Sequence, residues 1–175
     1  TIKVVPFDDI LSTDTQSALE EINTYLPAGT GAVTTTVQNK LRETVSVKDF
    51  GAVLDGIVDD TQAWRNALAT GKQLWFPAGK SRITDQLVLQ AGQTILGEGR
   101  TQSYFYIDST FNMMASCVVQ PGIFGLPGCL FNLGFQFVQD DQPVRANVTA
   151  YPPAISCHDI PRVVLDNVRI ENAYD

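Results

Sequence analysis

The sequence has few of the residues that build disulfide frameworks and histidine or cysteine metal sites, and it has no long apolar run. Its 175 residues include three cysteines, Cys117, Cys129 and Cys157, and one histidine, His158. The odd number and wide spacing of the cysteines argue against a disulfide framework or a tetrahedral metal site. We therefore expect free thiols, and assembly in a reducing compartment. No run of about 18 apolar residues occurs, so we expect no membrane insertion.

Basic residues are also scarce. The sequence has twelve Lys and Arg against nineteen Asp and Glu, which gives a net charge of −7. An acidic surface repels phosphate backbones, so we expect no nucleic-acid partner, and a neutral or acetylated polysaccharide suits the surface better. The start, TIKVVPFDD (1–9), lacks the basic and apolar regions of a signal peptide and an initiator methionine. We expect that this end was cut or trimmed.

A short amphipathic helix is predicted near the start. Thr13 and Gln16 have capping-box spacing, and Pro27 ends the pattern after about 13 residues. The apolar residues share one stripe: Ala18, Leu19, Ile22, Tyr25 and Leu26. A helix of this length is marginal alone in water and has few partners nearby in the sequence. We expect it to pack against its own copies as a three-stranded bundle, which predicts a homotrimer.

The next segments change from polar to strand-forming. Residues 28–36 are small and polar and predict a neck, while 37–43 could add one or two helical turns. The sequence VSVKDFGAVLDGIVDDTQAW (45–64) predicts a strand, an Asp55-Gly56 turn and a helix that Asp60 caps. The helix has one apolar face: Ala63, Trp64, Ala67 and Leu68.

Short apolar runs then follow one another to the end of the sequence. Val168-Arg169-Ile170 matches Phe135-Gln136-Phe137 at a displacement of 33 residues, which fits one coil of a parallel β-helix with an insertion at about 140–153. This pattern predicts two or three coils. A solenoid needs a cap at each end, so we expect further coils beyond Asp175.

Three of these segments, 45–64, LWFPAGKSRI (74–83) and TILGEGR (94–100), resemble the start of a right-handed parallel β-helix of the pectate-lyase-like superfamily. STDTQSALEEIN (12–23) and VTTTVQNKLRETVSVKDFGA (33–52) resemble segments of bacteriophage tailspikes. The resemblance implies a mainly β fold, with a helical trimeric stem and neck at 1–44. It places a capping region and the first coils, truncated at the C-terminus, at 45–175. Leu54 departs from the family pattern, which has Gly before Asp-Gly.

Acidic residues offer few catalytic candidates. Asp55, Asp59 and Asp60 cluster within six positions, but a turn and a helix cap explain them better than a cation site does. The pair Asp140 and Asp141 suits a solvated loop better than the acid pair of a glycoside hydrolase. Glu98 lies between two glycines at a tight corner, where we expect a structural role.

The remaining candidates are a histidine and several aromatic residues. His158 stands between Cys157 and Asp159, but sequence neighbours rarely face one another along a strand, so a nucleophile and base pair is not favoured. Five aromatic residues could stack on sugar rings: Trp75, Tyr104, Phe105, Tyr106 and Tyr151. We expect Trp75 and Phe105 in the core, and Tyr106 and Tyr151 on the surface.

The resemblance implies the N-terminal part of a phage tailspike. It would link a virion tail or baseplate to a β-helix body that binds, and in many tailspikes degrades, bacterial surface polysaccharide by hydrolysis or by elimination. Localisation would be the virion, after assembly in the host cytoplasm. Catalytic residues stay unknown, we expect no cofactor or metal, and we expect no cleavage by residues 1–175 alone. The alternatives are a pure adhesin and a fragment of a secreted glucanase or pectin-active enzyme.

Overall fold

The structure, a computed structural model, describes the chain in five stretches: residues 15–108, 118–119, 128–138, 151–156 and 163–171. The chain divides into two compact units, Thr1–Glu43 and Thr44–Asp175. The described helices and strands of the two units differ in kind, since the first holds short helices and one antiparallel pair and the second holds parallel sheets. Within the described residues, no helix is long and apolar enough to cross a membrane.

The first unit contains short elements: α1 (Thr15–Ile22), β1 (Thr24–Tyr25), β2 (Thr35–Thr36) and α2 (Val37–Leu41). The prediction that the first helix reaches Leu26 is wrong, because β1 pairs with β2 in antiparallel fashion. The Thr24 hydroxyl donates to the Glu20 carbonyl at 2.7 Å, and β-branched threonine suits a strand. The predicted start at Thr13 lies outside the described residues, so a helical stem remains a prediction. The helical turn predicted at 37–43 is confirmed by α2.

The second unit consists mainly of short strands: β3 (Thr44–Ser46), β4 (Asp55–Asp59), β5 (Gln73–Phe76), β6 (Gly79–Arg82), β7 (Leu87–Val88), β8 (Thr94–Gly97), β9 (Ser103–Ile107), β10 (Val118–Val119), β11 (Gly128–Phe131), β12 (Gly134–Phe137), β13 (Ile155–Ser156), β14 (Val163–Asp166) and β15 (Arg169–Glu171). A 3-10 helix (Val47–Phe50) follows β3, and α3 (Thr61–Leu68) follows β4. The first sheet has the order β3-β5-β8-β11-β14, the second β4-β6-β9-β12-β15, and the third β7-β10-β13.

All neighbouring strands in these three sheets are parallel, and each middle coil gives one strand to every sheet. The predicted parallel β-helix is therefore confirmed. The predicted number of coils is too low, since the first and second sheets each contain five described strands. Successive coils differ in the number of residues they contain. Leu74 pairs with Ile95 in the next coil, whereas Ile95 pairs with Leu130, which is much further along the chain. That unevenness hides the repeat.

The predicted displacement of 33 residues between the last coils is wrong. Phe135 pairs with Ile170, and at the preceding corner the Asn167 side-chain amide donates to the Asn132 side-chain oxygen at 2.9 Å, 35 residues earlier. Both asparagines have positive φ, 53° and 52°. Asparagine tolerates this left-handed conformation better than most residues. The corner, rather than the apolar strands, therefore sets the register.

The core of the second unit lies between the sheets and under α3. Trp64 of α3 is fully buried, and its ring lies 5.0 Å from that of Phe76 and 4.7 Å from that of Phe105. Phe105 continues the stack to Phe135 at 5.2 Å. The helix also buries Ala67 and Leu68. This confirms the predicted apolar face, and α3 covers the first coils as the resemblance implied.

Candidate functional site

The outer surface of the second sheet carries two of the five sugar-stacking candidates, Tyr104 and Tyr106. Because strand residues alternate sides, the in-register outward positions form two rows across the coils. The first row contains Asp55, Lys80, Tyr104, Gly134 and Arg169. The second row contains Asp59, Arg82, Tyr106, Gln136 and Glu171. We call these two rows the tyrosine face. Strands of a rigid wall hold such side chains more precisely than loops do.

Tyr104 rests on a glycine. Its Cδ1 and Cε1 atoms lie 2.6 Å from the position that a β-carbon on Gly134 would occupy, so any side chain at position 134 would collide with the ring. The ring therefore lies across the outer surface of β12 and is half-buried. Tyr104 is one of the aromatic candidates in the sequence, but nothing near it distinguishes it from the others, since the glycine lies thirty positions further on.

Tyr106 stands among charged side chains. The Lys80 ammonium lies 5.5 Å from the centre of its ring, a cation–π distance. In the neighbouring position, Arg82 Nε donates to the Asp108 carboxylate at 2.8 Å, and this hydrogen bond raises the pKa of Arg82. The prediction that Tyr106 lies on the surface agrees with its half-buried, outward position.

Tyr151 lies against the same coils. Its ring is 5.3 Å from that of Phe137, and its hydroxyl donates to the Val138 carbonyl at 2.7 Å. Burial raises the pKa of Tyr151, and the negative charge of Asp108 and the nearby Tyr106 add to the rise. The phenol is neutral at physiological pH, and the half-buried ring packs against the core at Phe137, so Tyr151 is less of a surface residue than expected.

Gln136 lies next to Tyr106 in the second row. Its side-chain oxygen is buried and has no hydrogen-bond donor among the described residues. A buried acceptor without a donor is uncommon in proteins. Rotation of the amide would exchange the oxygen for its NH2 group. Gln136 is thus a polar group on this face with hydrogen-bonding capacity to spare.

The structure separates the aspartate cluster into three different roles. Asp55 accepts from the backbone N–H groups of Ile57 (2.7 Å) and Val58 (2.9 Å), as a turn residue does. Asp59 accepts from the N–H and hydroxyl groups of Thr61 at the start of α3. These contacts confirm the turn predicted at Asp55, and they tie Asp59 to the first residue of α3. The described residues hold no cluster able to bind a metal ion.

The prediction that Asp60 caps the helix through its side chain is wrong. Asp60 is at the N-cap position but is 1% exposed, and its carboxylate turns inward. It accepts from the N–H groups of Val53 (2.8 Å) and Leu54 (3.2 Å). It also accepts from the Ser81 hydroxyl (2.9 Å), which itself accepts from the Trp64 indole (2.7 Å). A buried carboxylate needs such donors, so Asp60 joins the first turn to the second coil.

The structure also places three further sequence candidates, Glu98, Phe105 and Trp75. Glu98 accepts from the Ala78 N–H at 2.8 Å and so ties two corners together, in agreement with the expected structural role. Phe105 is fully buried, as predicted. Trp75 was expected in the core, and this is wrong, because Leu74 and Phe76 point inward and leave Trp75 half-buried on the outer side of β5.

Other sequence candidates lie outside the described residues: Cys117, Asp140, Asp141, Cys157, His158 and Asp159. Cys129 is half-buried on β11 and is a free thiol. The second unit also has a groove of about 320 Å³ beside α3 and β7. Arg65 and Asp85 line the groove and pair with each other at 2.6 Å, so their charges are already compensated.

Comparisons with known proteins agree with this architecture. The family model "rhamnogalacturonase A/epimerase, pectate lyase-like" matches residues 44–173. A pre-neck appendage protein of Bacillus phage B103 is 38% identical over 55 residues, 31% of this chain and 6% of that protein. Depolymerase 1 of Klebsiella phage K5-2, described as capsule-specific, is 44% identical over 57 residues, 31% of this chain and 7% of that protein.

Among solved structures, tailspike protein 3 of bacteriophage CBA120 is similar with a TM-score of 0.66 and 18% identity, over 91% of this chain and 26% of that one. At this identity the likeness shows the fold. The resemblance to phage tailspikes with a pectate-lyase-like β-helix is thereby confirmed. The chain spans less than a tenth of the length of the two curated relatives it matches.

Proposed function

Because the chain belongs to the rhamnogalacturonase A/epimerase, pectate lyase-like family, we propose that it is the N-terminal part of a phage tailspike that acts in host adhesion. The observation that carries this proposal is the pairing of the family match with segments similar to a phage appendage and a phage capsule depolymerase. In this role the chain links a virion tail or baseplate to a β-helix body, and that body binds bacterial surface polysaccharide.

The open side of the last coil supports continuation into such a body. Leu165 and Ile170 stand in the inward columns of Leu130 and Phe135, which are fully buried. Yet Leu165 is 49% and Ile170 50% exposed. Apolar side chains in core positions gain from being covered. The rest of the β-helix of the same spike is the covering partner that we propose.

Trimerisation through the first unit is the second part of the proposal. Large apolar side chains of its described residues are 58% to 77% exposed: Leu19, Ile22, Leu26, Val33 and Leu41. Helix α1 buries none of its residues. Neighbouring copies of residues 1–44 would bury them as a stem and neck, and 45–175 would form the capping region and first coils. Assembly would take place in the host cytoplasm and the product would reside in the virion.

The parent spike would degrade the polysaccharide that it binds, by hydrolysis or by elimination, with catalytic residues on coils other than those described. The test incubates purified capsular polysaccharides with the 175-residue chain and with the complete spike, and measures released reducing ends and unsaturated products. We expect release by the spike alone. Release by the chain would contradict this placement of the active site, and binding without release by the spike would identify a pure adhesin.

A further inference from the structure

The tyrosine face has the chemistry of a sugar-binding surface on the first coils themselves. We propose that Tyr104, lying over Gly134, and Lys80 form a subsite for one acidic sugar unit of the bacterial surface polysaccharide. This inference deepens the proposed function and rests on it. It assigns polysaccharide contact to the chain itself, in addition to the body of the spike.

The first step is the availability of the Tyr104 ring. Outward side chains in a parallel sheet usually stack on their neighbours in the next strand, which occupies the faces of aromatic rings. Gly134 has no side chain, and Tyr104 Cδ1 and Cε1 lie where its β-carbon would be. The ring is half-buried, so part of its surface stays open to solvent. An apolar face of this kind packs against the C–H groups of a pyranose ring.

The second step is a positive charge on the same face that has no carboxylate partner among the described residues. The backbone of Lys80 pairs in register with Tyr104, and its exposed side chain carries the ammonium to 5.5 Å from the centre of the Tyr106 ring in the second row. Within the part of the chain that the structure describes, no carboxylate lies within 4 Å of its ammonium group. By contrast, Arg82 is paired with Asp108 and Arg169 with Glu171. Lys80 is therefore the cation on this face that is placed for a carboxylate of a ligand.

The third step concerns the acids of the same face. Although the chain is acidic, Asp55 and Asp59 already accept hydrogen bonds from their own turn and from the start of α3. Asp108 and Glu171 are each held by an arginine. Charges of opposite sign that lie this close screen one another. Lys80 is accordingly a cation of this face with no carboxylate partner among the described residues, and this favours an acidic sugar unit over a neutral one.

The experiment measures binding of the 175-residue chain to a panel of purified bacterial capsular polysaccharides by biolayer interferometry. Each polysaccharide is offered in its native form and after reduction of its carboxyl groups to alcohols. We expect at least one native polysaccharide to bind, and the reduced form to bind about threefold more weakly, as an exposed ion pair predicts. Binding should weaken as salt is raised.

Two variants locate the subsite, each with a matched control. Tyr104→Ala should weaken binding about tenfold, whereas Tyr104→Phe, which keeps the ring, should bind nearly as the parent chain does. Lys80→Gln changes an exposed side chain, so the β-helix should stay folded. This variant should bind native and reduced polysaccharide equally. Trp75→Ala removes an outward aromatic ring from the first sheet and Lys48→Gln an exposed lysine from another segment. Neither control should change binding.

Each contrary result has a distinct meaning. Unchanged binding by Tyr104→Ala and Lys80→Gln would overturn the subsite while leaving polysaccharide binding, and with it the proposed function, intact. Equal binding of native and reduced forms by the parent chain would overturn the acidic sugar. No binding by the chain to polysaccharides that the complete spike retains would also overturn the subsite. No binding by the spike either would count against the proposed function itself.

Discussion

The two units of the chain differ in where they keep their apolar side chains. In the second unit, inward columns such as Leu74, Ile95 and Leu130 are fully buried by their own neighbours in the sheets. In the described part of the first unit, Leu19 and Leu41 are 59% and 73% exposed. A parallel wall supplies each coil with the next coil as a partner, whereas helices of eight and five residues enclose nothing. The second unit therefore contains its own core, whereas the first needs a second surface to cover its apolar side chains.

The largest expected contrast comes from the same kind of substitution in both units. Phe105→Ala removes the ring that touches Trp64, Phe76 and Phe135, and should lower the free energy of unfolding of the β-helix by about 3–5 kcal/mol. Leu19→Ala should change that transition by less than about 0.5 kcal/mol, because the side chain is exposed in the single chain. Denaturant titrations followed by far-ultraviolet circular dichroism measure both values. Equal losses would erase the contrast.

A hydroxyl group offers a smaller version of the same test. Ser81→Ala leaves the buried Trp64 indole without an acceptor and removes a donor from Asp60, which should cost about 1–3 kcal/mol. Thr24→Val removes a hydrogen bond to the Glu20 carbonyl in the first unit, where water replaces it, and should leave the same transition unchanged. A Ser81→Ala chain as stable as its parent would contradict the role assigned to the buried network.

Leu54 tests the backbone of the second unit. It has a φ of 63°, a conformation that glycine adopts without strain, and it is 6% exposed. Leu54→Ala and Leu54→Gly both lose the buried side chain, but only the glycine relieves the backbone. We expect the glycine variant to be the more stable of the two by about 1 kcal/mol, the reverse of the usual order. Thermal unfolding of the two variants measures this difference in stability. A more stable alanine variant would show that the backbone at Leu54 is not strained.

The smallest effect is a pH dependence. Burial acts to raise the pKa of Asp59, but hydrogen bonds from Thr61 and Thr84 and the charge of Arg82 outweigh it, so the pKa lies below the ordinary 3.8. A carboxyl group with a lowered folded pKa contributes stability above its unfolded pKa and loses it as the pH falls through the folded value. The β-helix should therefore weaken below about pH 4, and Asp59→Asn should reduce that dependence. Equal acid sensitivity in both chains would exclude Asp59 as a cause.

Much of the fold was predictable because the local preferences of the sequence agree with the strands and turns of the β-helix. The apolar face of α3 and the Asp55-Gly56 turn follow from spacing alone, and the departure at Leu54 fell on a residue with positive φ. The register between the strands of the last two coils did not follow from the spacing of the apolar residues. A displacement of 33 or 35 residues keeps every side chain on its own face of the sheet, so alternation cannot choose between them. The paired Asn132 and Asn167 were the signal that could have done so.

The site was less predictable, because its parts are far apart in sequence. The Asp60 side chain turns inward and accepts a hydrogen bond from Ser81, which lies 21 residues later in the sequence. The position of Asp60 before a helix does not predict that partner. Tyr104 stands out from other tyrosines only through Gly134 in the next coil. Trp75 was misplaced because its large apolar ring outweighed the alternation of Leu74 and Phe76. Contacts between coils, rather than composition, decide such positions.

Sedimentation velocity tests most directly whether the first unit obtains its partner surface from other copies of the chain. At micromolar concentration we expect a trimer. Leu19→Glu combined with Ile22→Glu should give a monomer with an unchanged β-sheet spectrum, because three copies would bring like charges together. Val53→Glu combined with Val58→Glu, at exposed apolar positions of the second unit, should remain trimeric. A monomeric parent chain, or a trimer that survives the Leu19 and Ile22 substitutions, would contradict the account.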